Sequence, residues 1–267
     1  MIFGRKGKNM VPIVLQTYNR VEYSMQVIPS LYTHILYPHY VVVVDNGSTD
    51  GTVEYLKFAQ QQGLIKEIVF NNENKGISEA KNQGLEVVSR ISKEDNIEFI
   101  CITDNDIIPP FIREKGCVLQ HIVDLMTKNQ VIGMCGVDLS RENAPVNQEW
   151  WWRLRQHYGS IPEFAEISIG FWFAVIRYSF FKDFRFVGES IYGRADESIR
   201  NFITLQKKSK IGLLKGVYDE KRKETVPKLG VHLGWIEDCL LYPDYVNFKK
   251  QERAKAEVAW KEKNRKW

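Results

Sequence analysis

Short apolar runs that end in polar residues alternate with segments of helical spacing along the first half of the chain. The runs are rich in β-branched residues and end near Thr17, Asp45 and Asp104, a pattern typical of buried strands. Strands are predicted at residues 11–15, 40–44, 65–70 and 99–103. Helices are predicted at residues 21–32, around 53–58, at 78–89, and after Pro110 as far as about Lys128. Strands that alternate with helices predict an α/β fold with a mostly parallel sheet flanked by helices.

The second half of the chain continues the pattern less regularly. Further strands are predicted at residues 131–137 and 168–176, and further helices at residues 196–207 and 246–263. Within the first helix, Pro29 should cause a break or kink near Ile28. Before the second helix, Ser48, Thr49 and Asp50 are predicted N-cap residues, because their short polar side chains accept hydrogen bonds from a first helical turn.

Composition and the chain termini narrow the class of protein. Of the 267 residues, 44% are hydrophobic and 26% are charged, which is ordinary for a globular protein. The first nine residues lack the apolar stretch of a secretory signal, and the longest aromatic-apolar run is far shorter than a membrane span. The four cysteines are widely spaced, which argues against a zinc site or a redox pair and favours reduced, structural thiols. These observations predict a cytoplasmic protein.

Basic side chains concentrate near the end of the sequence. The formal net charge is only +4, but residues 249–266 carry a large share of the excess lysine and arginine. A solvated helix explains this pattern, and a basic amphipathic helix on an anionic membrane surface is the alternative. Peripheral membrane contact through this helix is therefore a hypothesis, and nucleic acid is not an expected partner.

The strongest chemical signal is the Asp104-Asn105-Asp106 segment, which directly follows a predicted strand. Residues two apart in an extended backbone point to the same side, so the two carboxylates can converge on one point. Neighbouring carboxylates suit a hard cation, Mn²⁺ or Mg²⁺, with phosphate oxygens and water as further ligands. A polar turn before Pro109 and Pro110 is the alternative interpretation.

Four motifs resemble, in order and spacing, those of the GT-A-fold glycosyltransferases of family 2, which are inverting and use nucleotide-diphospho-sugars. They are Val11-Pro-Ile-Val-Leu-Gln-Thr-Tyr-Asn-Arg20, Val42-Val-Val-Asp-Asn-Gly-Ser-Thr-Asp50, Asn74-Lys-Gly-Ile-Ser-Glu-Ala-Lys-Asn-Gln-Gly84 and Asp104-Asn-Asp106. The resemblance covers roughly residues 10–200. It implies a GT-A-like catalytic domain at residues 10–205, with a nucleotide-binding half at about 10–110 and an acceptor half at about 111–205. Residues 206–267 would form a helical C-terminal extension that ends in the basic helix.

The resemblance also implies a nucleotide site. Its predicted residues are Thr17, Tyr18, Arg20, Asp45, Asn74, Lys81, Asp104 and Asn105. Asp45 suits an imide N–H, which favours uracil or thymine, and the expected donors are UDP, dTDP or GDP sugars. A cap at the end of the strand is the alternative for Asp45. The family usually has arginine where Lys81 stands, so a two-pronged phosphate contact would become a single ammonium contact. The alternative is that Lys81 is an exposed helix residue.

Metal, catalytic and acceptor residues follow from the same resemblance. The predicted metal ligands are Asp104, Asp106 and His232, although a structural role is the alternative for a histidine between apolar neighbours. Asp196 is the preferred general base and Glu197 the alternative. Ala195 stands where the family commonly has glutamate, and a first-turn helix acid is a further alternative for Asp196.

The acceptor side is less defined. Trp172 lies in an apolar segment that resembles the acceptor side of the family, while the acceptor itself (glycan, lipid-linked or protein) stays open. The cluster Trp150-Trp-Trp152 suits sugar stacking, a membrane interface or core packing.

These features together predict metal-assisted, inverting transfer of a sugar from a nucleotide diphosphate to an acceptor hydroxyl, with a carboxylate as general base. One alternative is a sugar-1-phosphate nucleotidylyltransferase, although the loop after the first strand lacks the glycine-rich phosphate loop of those enzymes. A second is a catalytically inactive nucleotide-sugar or glycan-binding module, which the three acids Asp104, Asp106 and Asp196 disfavour. The absence of Gly-x-Gly-x-x-Gly after the first strand, and of a P-loop, argues against dinucleotide oxidoreductases and P-loop enzymes.

Overall fold

A computed structural model describes residues 10–92, 97–112, 116–140, 161, 163–167, 169–187, 195–219, 224–227 and 229–233. The first half of this part alternates strands and helices. The strands are β1 (Val11–Thr17), β2 (His39–Asp45), β3 (Glu67–Phe70) and β4 (Phe99–Asp104), and the helices are α1 (Val21–Thr33), α2 (Thr52–Gln61) and α3 (Ile77–Ile91). The four strands pair in parallel in the order β3-β2-β1-β4. Their carboxyl ends therefore lie along one edge, where ligands bind in open parallel sheets.

The second half extends this sheet with strands of both directions. Its elements are β5 (Ile107–Ile108), α4 (Val118–Lys128), β6 (Ile132–Leu139), β7 (Phe164–Glu166), β8 (Ala174–Arg177), α5 (Ala195–Asn201), β9 (Lys210–Leu214), β10 (Gly216–Asp219), β11 (Glu224–Pro227) and β12 (Leu229–His232). Strand β8 lies antiparallel between β4 and β6. Strands β9 and β12 run parallel to β6, β7 runs antiparallel to β9, and β10 and β11 form a separate hairpin. The result is a mixed α/β fold in which the parallel half carries the edge described above.

Each strand of the parallel half contributes alternate side chains to two buried layers, as its pleat requires. Ile13 and Leu15 of β1 pack in the layer that contains Val27 and Leu31 of α1, and the same layer holds buried residues of α2 and α4. Val14 of β1 faces the other layer, with buried residues of α3 and α5. Helices thus cover both faces of the sheet.

Close packing of α3 on the sheet depends on one glycine. A Cβ atom added at Gly84 would clash with the Val14 side chain of β1. The missing side chain lets the backbone of α3 approach the sheet closely, and it brings the N-terminal half of the helix beside the end of β4.

The structure confirms the predicted fold class and most of the predicted elements, with several corrections. Helix α1 continues through Pro29 to Thr33, so the predicted break near Ile28 is wrong, whereas a kink there stays a prediction; the carbonyl that loses its partner belongs to the exposed residue Met25. The strand predicted at residues 168–176 is shorter and begins at Ala174. The helix predicted at residues 196–207 consists of α5 followed by a π-helical turn, Phe202–Gln206.

The helix at residues 246–263 and the tryptophan cluster at residues 150–152 lie outside the described residues. The domain boundary at residue 205 stays a prediction. The helical character predicted for residues 206–267 is wrong for their described part, which forms the strands β9 to β12, and β9 and β12 pair with β6 of the central sheet. In the part of the chain that the structure describes, no helix has both the length and the apolar character needed to cross a membrane. The described cysteines, Cys101, Cys117 and Cys135, are buried free thiols, as predicted.

Candidate functional site

Asp45, at the carboxyl end of β2, is the most deeply buried acid of the sheet edge. Its side chain is fully buried, and Oδ2 accepts a hydrogen bond of 3.1 Å from the backbone N–H of Ser48. The other oxygen, Oδ1, is also buried and has no hydrogen-bond partner among the described residues. A buried acceptor without a donor is costly, so this atom suits a ligand that brings an N–H group.

The loop after β1 has an unusual backbone. Asn19 and Arg20 both have positive φ angles, 55° and 63°, which L-residues adopt at a cost. Three contacts with the loop after β2 hold this shape: the N–H of Asn19 donates to Ser48 Oγ, the N–H of Thr49 donates to Asn19 Oδ1, and the N–H of Val21 donates to Asp50 Oδ2. The two loops therefore form one unit.

The same contacts correct the predicted helix cap. The N-cap position of α2 is Gly51, which has no side-chain hydrogen bond, and Ser48 and Thr49 contact the β1 loop instead. Of the three predicted cap residues, only Asp50 bonds to the first residue of α2: its Oδ1 accepts hydrogen bonds from the N–H and the hydroxyl of Thr52. Asp50 thus joins the starts of α1 and α2.

A network of side-chain amides, which the sequence analysis did not identify, shapes the turn before α3. Asn46 Nδ2 donates to Asn74 Oδ1 at 2.7 Å, and Asn46 Oδ1 accepts from Asn71 Nδ2 at 3.1 Å. Asn71 and Gln83 exchange two further amide hydrogen bonds. Asn74 Oδ1 also accepts the N–H of Gly76, whose φ of 83° favours glycine. The predicted nucleotide residue Asn74 therefore has a structural part in this turn. The sequence did contain a signal for this network, because an asparagine directly follows each of the neighbouring strands β2 and β3.

Lys81 of α3 is fully buried, so the alternative of an exposed helix lysine is wrong. Its ammonium donates to Asp104 Oδ1 at 2.9 Å and to Gln16 Oε1 at 3.2 Å. It also lies 4.3 Å from the ring centroid of Phe171, within cation–π distance. Lys81 is therefore the buried counterion of the first acid after β4, whose own side chain is 42% exposed.

The turn after β4 is tied to the loop after β1. Asn105 Nδ2 donates to Thr17 Oγ1 at 2.9 Å and lies 3.3 Å from the carbonyl oxygen of Asn19. Asp106 Oδ2 lies 3.6 Å from a guanidinium nitrogen of Arg20. The structure thus brings predicted nucleotide residues from β1, the β1 loop and the β4 turn together at one edge. Tyr18, in the same loop, is 44% exposed.

Strand β12 returns the chain to this edge. His232 pairs in register with Ile107, and the N–H of Leu233 donates to the carbonyl oxygen of Asp106 at 2.8 Å. The position of His232 is therefore next to the turn Asp104–Asp106 (the acid turn) along the backbone. Gly230 permits this approach, because an added Cβ would lie 2.8 Å from the carbonyl oxygen of Ile108.

The carboxylate oxygens at this edge supply some of the ligands that a hard cation needs. Within the described ranges, no group of three or more histidine, cysteine or acidic side chains could hold a metal ion. Asp104 and Asp106 offer carboxylate oxygens in one turn, and each carboxylate lies near a cationic side chain. Two carboxylates with ligand positions left for phosphate oxygens match the way Mg²⁺ is usually bound.

The predicted acceptor and catalytic residues lie on other elements. Trp172 is half-buried and packs against both core layers, next to Phe173, which has a φ of 50° and whose N–H donates to the carbonyl oxygen of Phe171. Asp196 and Glu197 occupy the first turn of α5, where the first is half-buried and the second exposed. Their catalytic roles stay predictions.

Comparisons with known proteins agree with this geometry. The sequence matches glycosyl transferase family 2 over residues 13–187, which is more than half of the chain. An uncharacterized glycosyltransferase of Rickettsia bellii (strain RML369-C) is 27% identical over 96 residues, which are 36% of this chain and 13% of that protein.

Solved structures show the same fold. The mannosyltransferase PcManGT from Pyrobaculum calidifontis, in complex with GDP-Man and Mn²⁺, superposes with a TM-score of 0.55 at 19% identity over 80% of this chain and 58% of that chain. S. aureus TarS superposes with a TM-score of 0.56 at 15% identity over 84% of this chain and 36% of that chain. A structure of TarS residues 1–349 in complex with UDP-GlcNAc gives 0.53 at 15% identity, over 85% and 61%.

The chain spans less than two thirds of the length of each of these relatives. The family match nevertheless covers β1 to β4 and the acid turn, where the buried Asp45, the Lys81–Asp104 pair and the Arg20–Asp106 pair lie. On these grounds the chain belongs to glycosyl transferase family 2.

Proposed function

We propose that this chain transfers a sugar from a nucleotide diphosphate to an acceptor hydroxyl with inversion at the anomeric carbon. The observation that carries the proposal is the unpartnered Oδ1 of Asp45, which lies on the same sheet edge as the acid turn Asp104–Asp106. One end of this edge is suited to a base and the other to a diphosphate. The family membership and the ligands named for the related structures, GDP-Man and UDP-GlcNAc, support the same assignment.

The base end contains Asp45 and the exposed Tyr18. The ring N–H of uracil, thymine or guanine would donate to the buried oxygen of Asp45, whereas adenine and cytosine have no ring N–H on that edge and could donate only through an exocyclic amino group. UDP, dTDP and GDP sugars are therefore the donors to test. Tyr18 is available to stack on the base, because nearly half of its surface is exposed.

The diphosphate end contains the acid turn and two cationic side chains, Lys81 and Arg20, that differ in solvent exposure. Asp104, Asp106 and, as predicted from the resemblance, His232 would hold the divalent ion. Such an ion would supply positive charge to the departing diphosphate. Lys81 has no exposed surface and holds Asp104, whereas the side chain of Arg20 is 24% exposed beside Asp106. We therefore assign the phosphate contact to Arg20 and a supporting role to Lys81.

The acceptor end would supply the base. Inverting transfer needs a group that removes the acceptor proton on the face opposite the leaving diphosphate, and a carboxylate can do this. Asp196, half-buried in the first turn of α5, is the proposed base, with Glu197 as the alternative. Trp172 is the proposed acceptor contact.

The decisive experiment is a screen of UDP, dTDP and GDP sugars for release of nucleoside diphosphate, with Mn²⁺, with Mg²⁺ and with EDTA. Release that requires metal and is lost in Asp45→Asn would support the proposal, with Asp183→Asn as the matched surface control. Incubation of sugar-1-phosphates with nucleoside triphosphates tests the nucleotidylyltransferase alternative, which would release pyrophosphate. Nucleotide binding without release from any donor would indicate an inactive binding module, and the proposal would then be wrong.

A further inference from the structure

Asn82, the residue after Lys81 on α3, holds a segment that lies far away in the sequence. Its Oδ1 accepts the backbone N–H of Phe186 at 2.9 Å, and its Nδ2 donates to the carbonyl oxygen of Phe186 at 3.0 Å. One amide side chain thus acts as a strand partner for both backbone groups of a buried residue. Buried backbone groups need such partners, so this clamp fixes where the segment lies on α3.

The ring of Phe186 extends the contact back to the acid turn. It packs edge-on against Phe171 at a centroid distance of 5.5 Å, and the ring of Phe171 lies beside the ammonium of Lys81. Lys81 in turn binds Asp104. Two adjacent residues of α3 therefore contact Phe186, through its backbone, and Phe171, through its ring, and the two rings contact each other. The clamp and the acid turn thus belong to one packed unit.

In the other direction the aromatic contacts lead to α5. Phe186 packs against Phe184 at 5.1 Å, and Phe184 packs against Phe202 at 4.9 Å. Phe202 directly follows α5, and Ala195 and Ile199 of α5 lie in the same buried layer. Residues 188–194 lie outside the described residues, but the contacts from α3 to α5 do not depend on them.

We infer that Asn82 is a positioning residue. It anchors the segment 184–187 on α3, the helix whose Lys81 binds Asp104, and thereby sets the placement of α5 with its acids Asp196 and Glu197. This inference rests on the proposed function, because it gives the placement of α5 a role in transfer. Group transfer depends on reacting groups held within a few tenths of an ångström, so a loosened anchor should slow transfer without weakening donor binding.

The first arm of the test measures the anchor without any substrate. Hydrogen exchange is compared for wild type, Asn82→Leu, Asn82→Asp and the surface amide control Gln61→Leu. Asn82→Leu should speed exchange at residues 184–187 and in α5 and leave β4 unchanged. Asn82→Asp keeps an acceptor for the N–H of Phe186 but places a second oxygen against the carbonyl oxygen of Phe186. Its exchange rates should therefore lie between those of wild type and Asn82→Leu. Faster exchange at Phe186 alone, with α5 unchanged, would overturn the inference.

The second arm separates positioning from general damage to the fold. Calorimetry with UDP or GDP and Mn²⁺ should give dissociation constants within twofold of wild type for both Asn82 variants. Donor turnover should fall at least tenfold in Asn82→Leu and less in Asn82→Asp, with the donor KM unchanged. A parallel loss of nucleotide affinity would contradict the inference. If wild type consumes no donor, the proposed function fails, and the exchange at α5 still decides whether Asn82 positions that helix.

Discussion

The ammonium of Lys81 lies 2.9 Å from Oδ1 of Asp104, and the two side chains differ in exposure: that of Lys81 is fully buried and that of Asp104 is 42% exposed. Removing either partner should therefore have unequal cost. Asp104→Ala leaves a buried ammonium without its anion and should lower the free energy of unfolding by about 3–5 kcal/mol. Lys81→Met leaves a carboxylate that water can hydrate and should cost only about 1–2 kcal/mol.

Urea denaturation of both single variants and the double variant would measure this asymmetry. The double variant should be more stable than Asp104→Ala alone, since it no longer buries a charge. Equal costs for the two single variants would show that Lys81 gains access to water when its partner is lost.

A second prediction concerns Asp45. In Asp45→Asn, an oxygen can still accept the N–H of Ser48, while an amide nitrogen replaces the unpartnered oxygen. Affinity for UDP should fall at least tenfold, about 1.4 kcal/mol, because a donor then faces the imide N–H. The free energy of unfolding should change little, since one unpartnered buried polar group replaces another. Calorimetry and denaturation on the same samples would check both, and unchanged affinity would place the base elsewhere.

A third prediction is that nucleoside diphosphate binding depends on a divalent ion through Asp106. Losing one carboxylate of a two-carboxylate site should reduce metal-dependent affinity sharply. Calorimetry of UDP and GDP, with and without Mn²⁺, on wild type, Asp106→Asn and Asp183→Asn would test it. The idea fails if affinity is the same with and without metal in every protein.

A fourth prediction concerns the proposed base. Asp196→Asn should retain nucleotide binding, because Asp45 and the acid turn lie on other elements, while turnover should fall by about 10²–10⁴-fold. Glu197→Gln is the neighbouring control. If Asp196→Asn keeps near-normal turnover and Glu197→Gln loses it, the general base is Glu197. If both variants stay active, neither residue is the general base.

A fifth prediction is that the ionisation of Asp50 contributes to the pH dependence of the free energy of unfolding. Burial raises the pKa of this carboxyl, but hydrogen bonds from the Thr52 hydroxyl and from the N–H groups of Val21 and Thr52 lower the pKa below its usual value overall. A lowered pKa in the folded state means that Asp50 stabilises the protein above about pH 4, the unfolded value, and less as the pH falls further. Asp50→Asn should therefore lower the urea midpoint at pH 6, and the difference from wild type should shrink as the pH falls below about 4.

The sequence predicted the parallel half of the sheet because its signals are local. Buried strands show as apolar runs, and the polar residues that end them mark the ligand edge. The full burial of Lys81 depends on how closely α3 packs against Val14, a tertiary contact that the sequence analysis did not foresee. A signal nevertheless existed, since Lys81 lies four residues after Ile77 and three before Gly84, on the apolar face of the helix.

The contacts that join distant segments could not be predicted. The clamp between Asn82 and Phe186 and the register of His232 with Ile107 are set by tertiary packing, which a single sequence does not encode in any short-range period. The positive φ angles of Asn19 and Arg20 are likewise imposed by another loop, because the donors and acceptors that hold them come from residues 48–50.

The return of β12 to the acid turn has a consequence for biosynthesis. A chain that emerges from the ribosome with its N-terminus first can form β1 to β4 long before Leu229–His232 is made. Until that strand arrives, β5 lacks its antiparallel partner and the carbonyl of Asp106 lacks the N–H of Leu233. If the strands β1 to β4 fold during synthesis, the acid turn stays incomplete until β12, the last described strand, has been made.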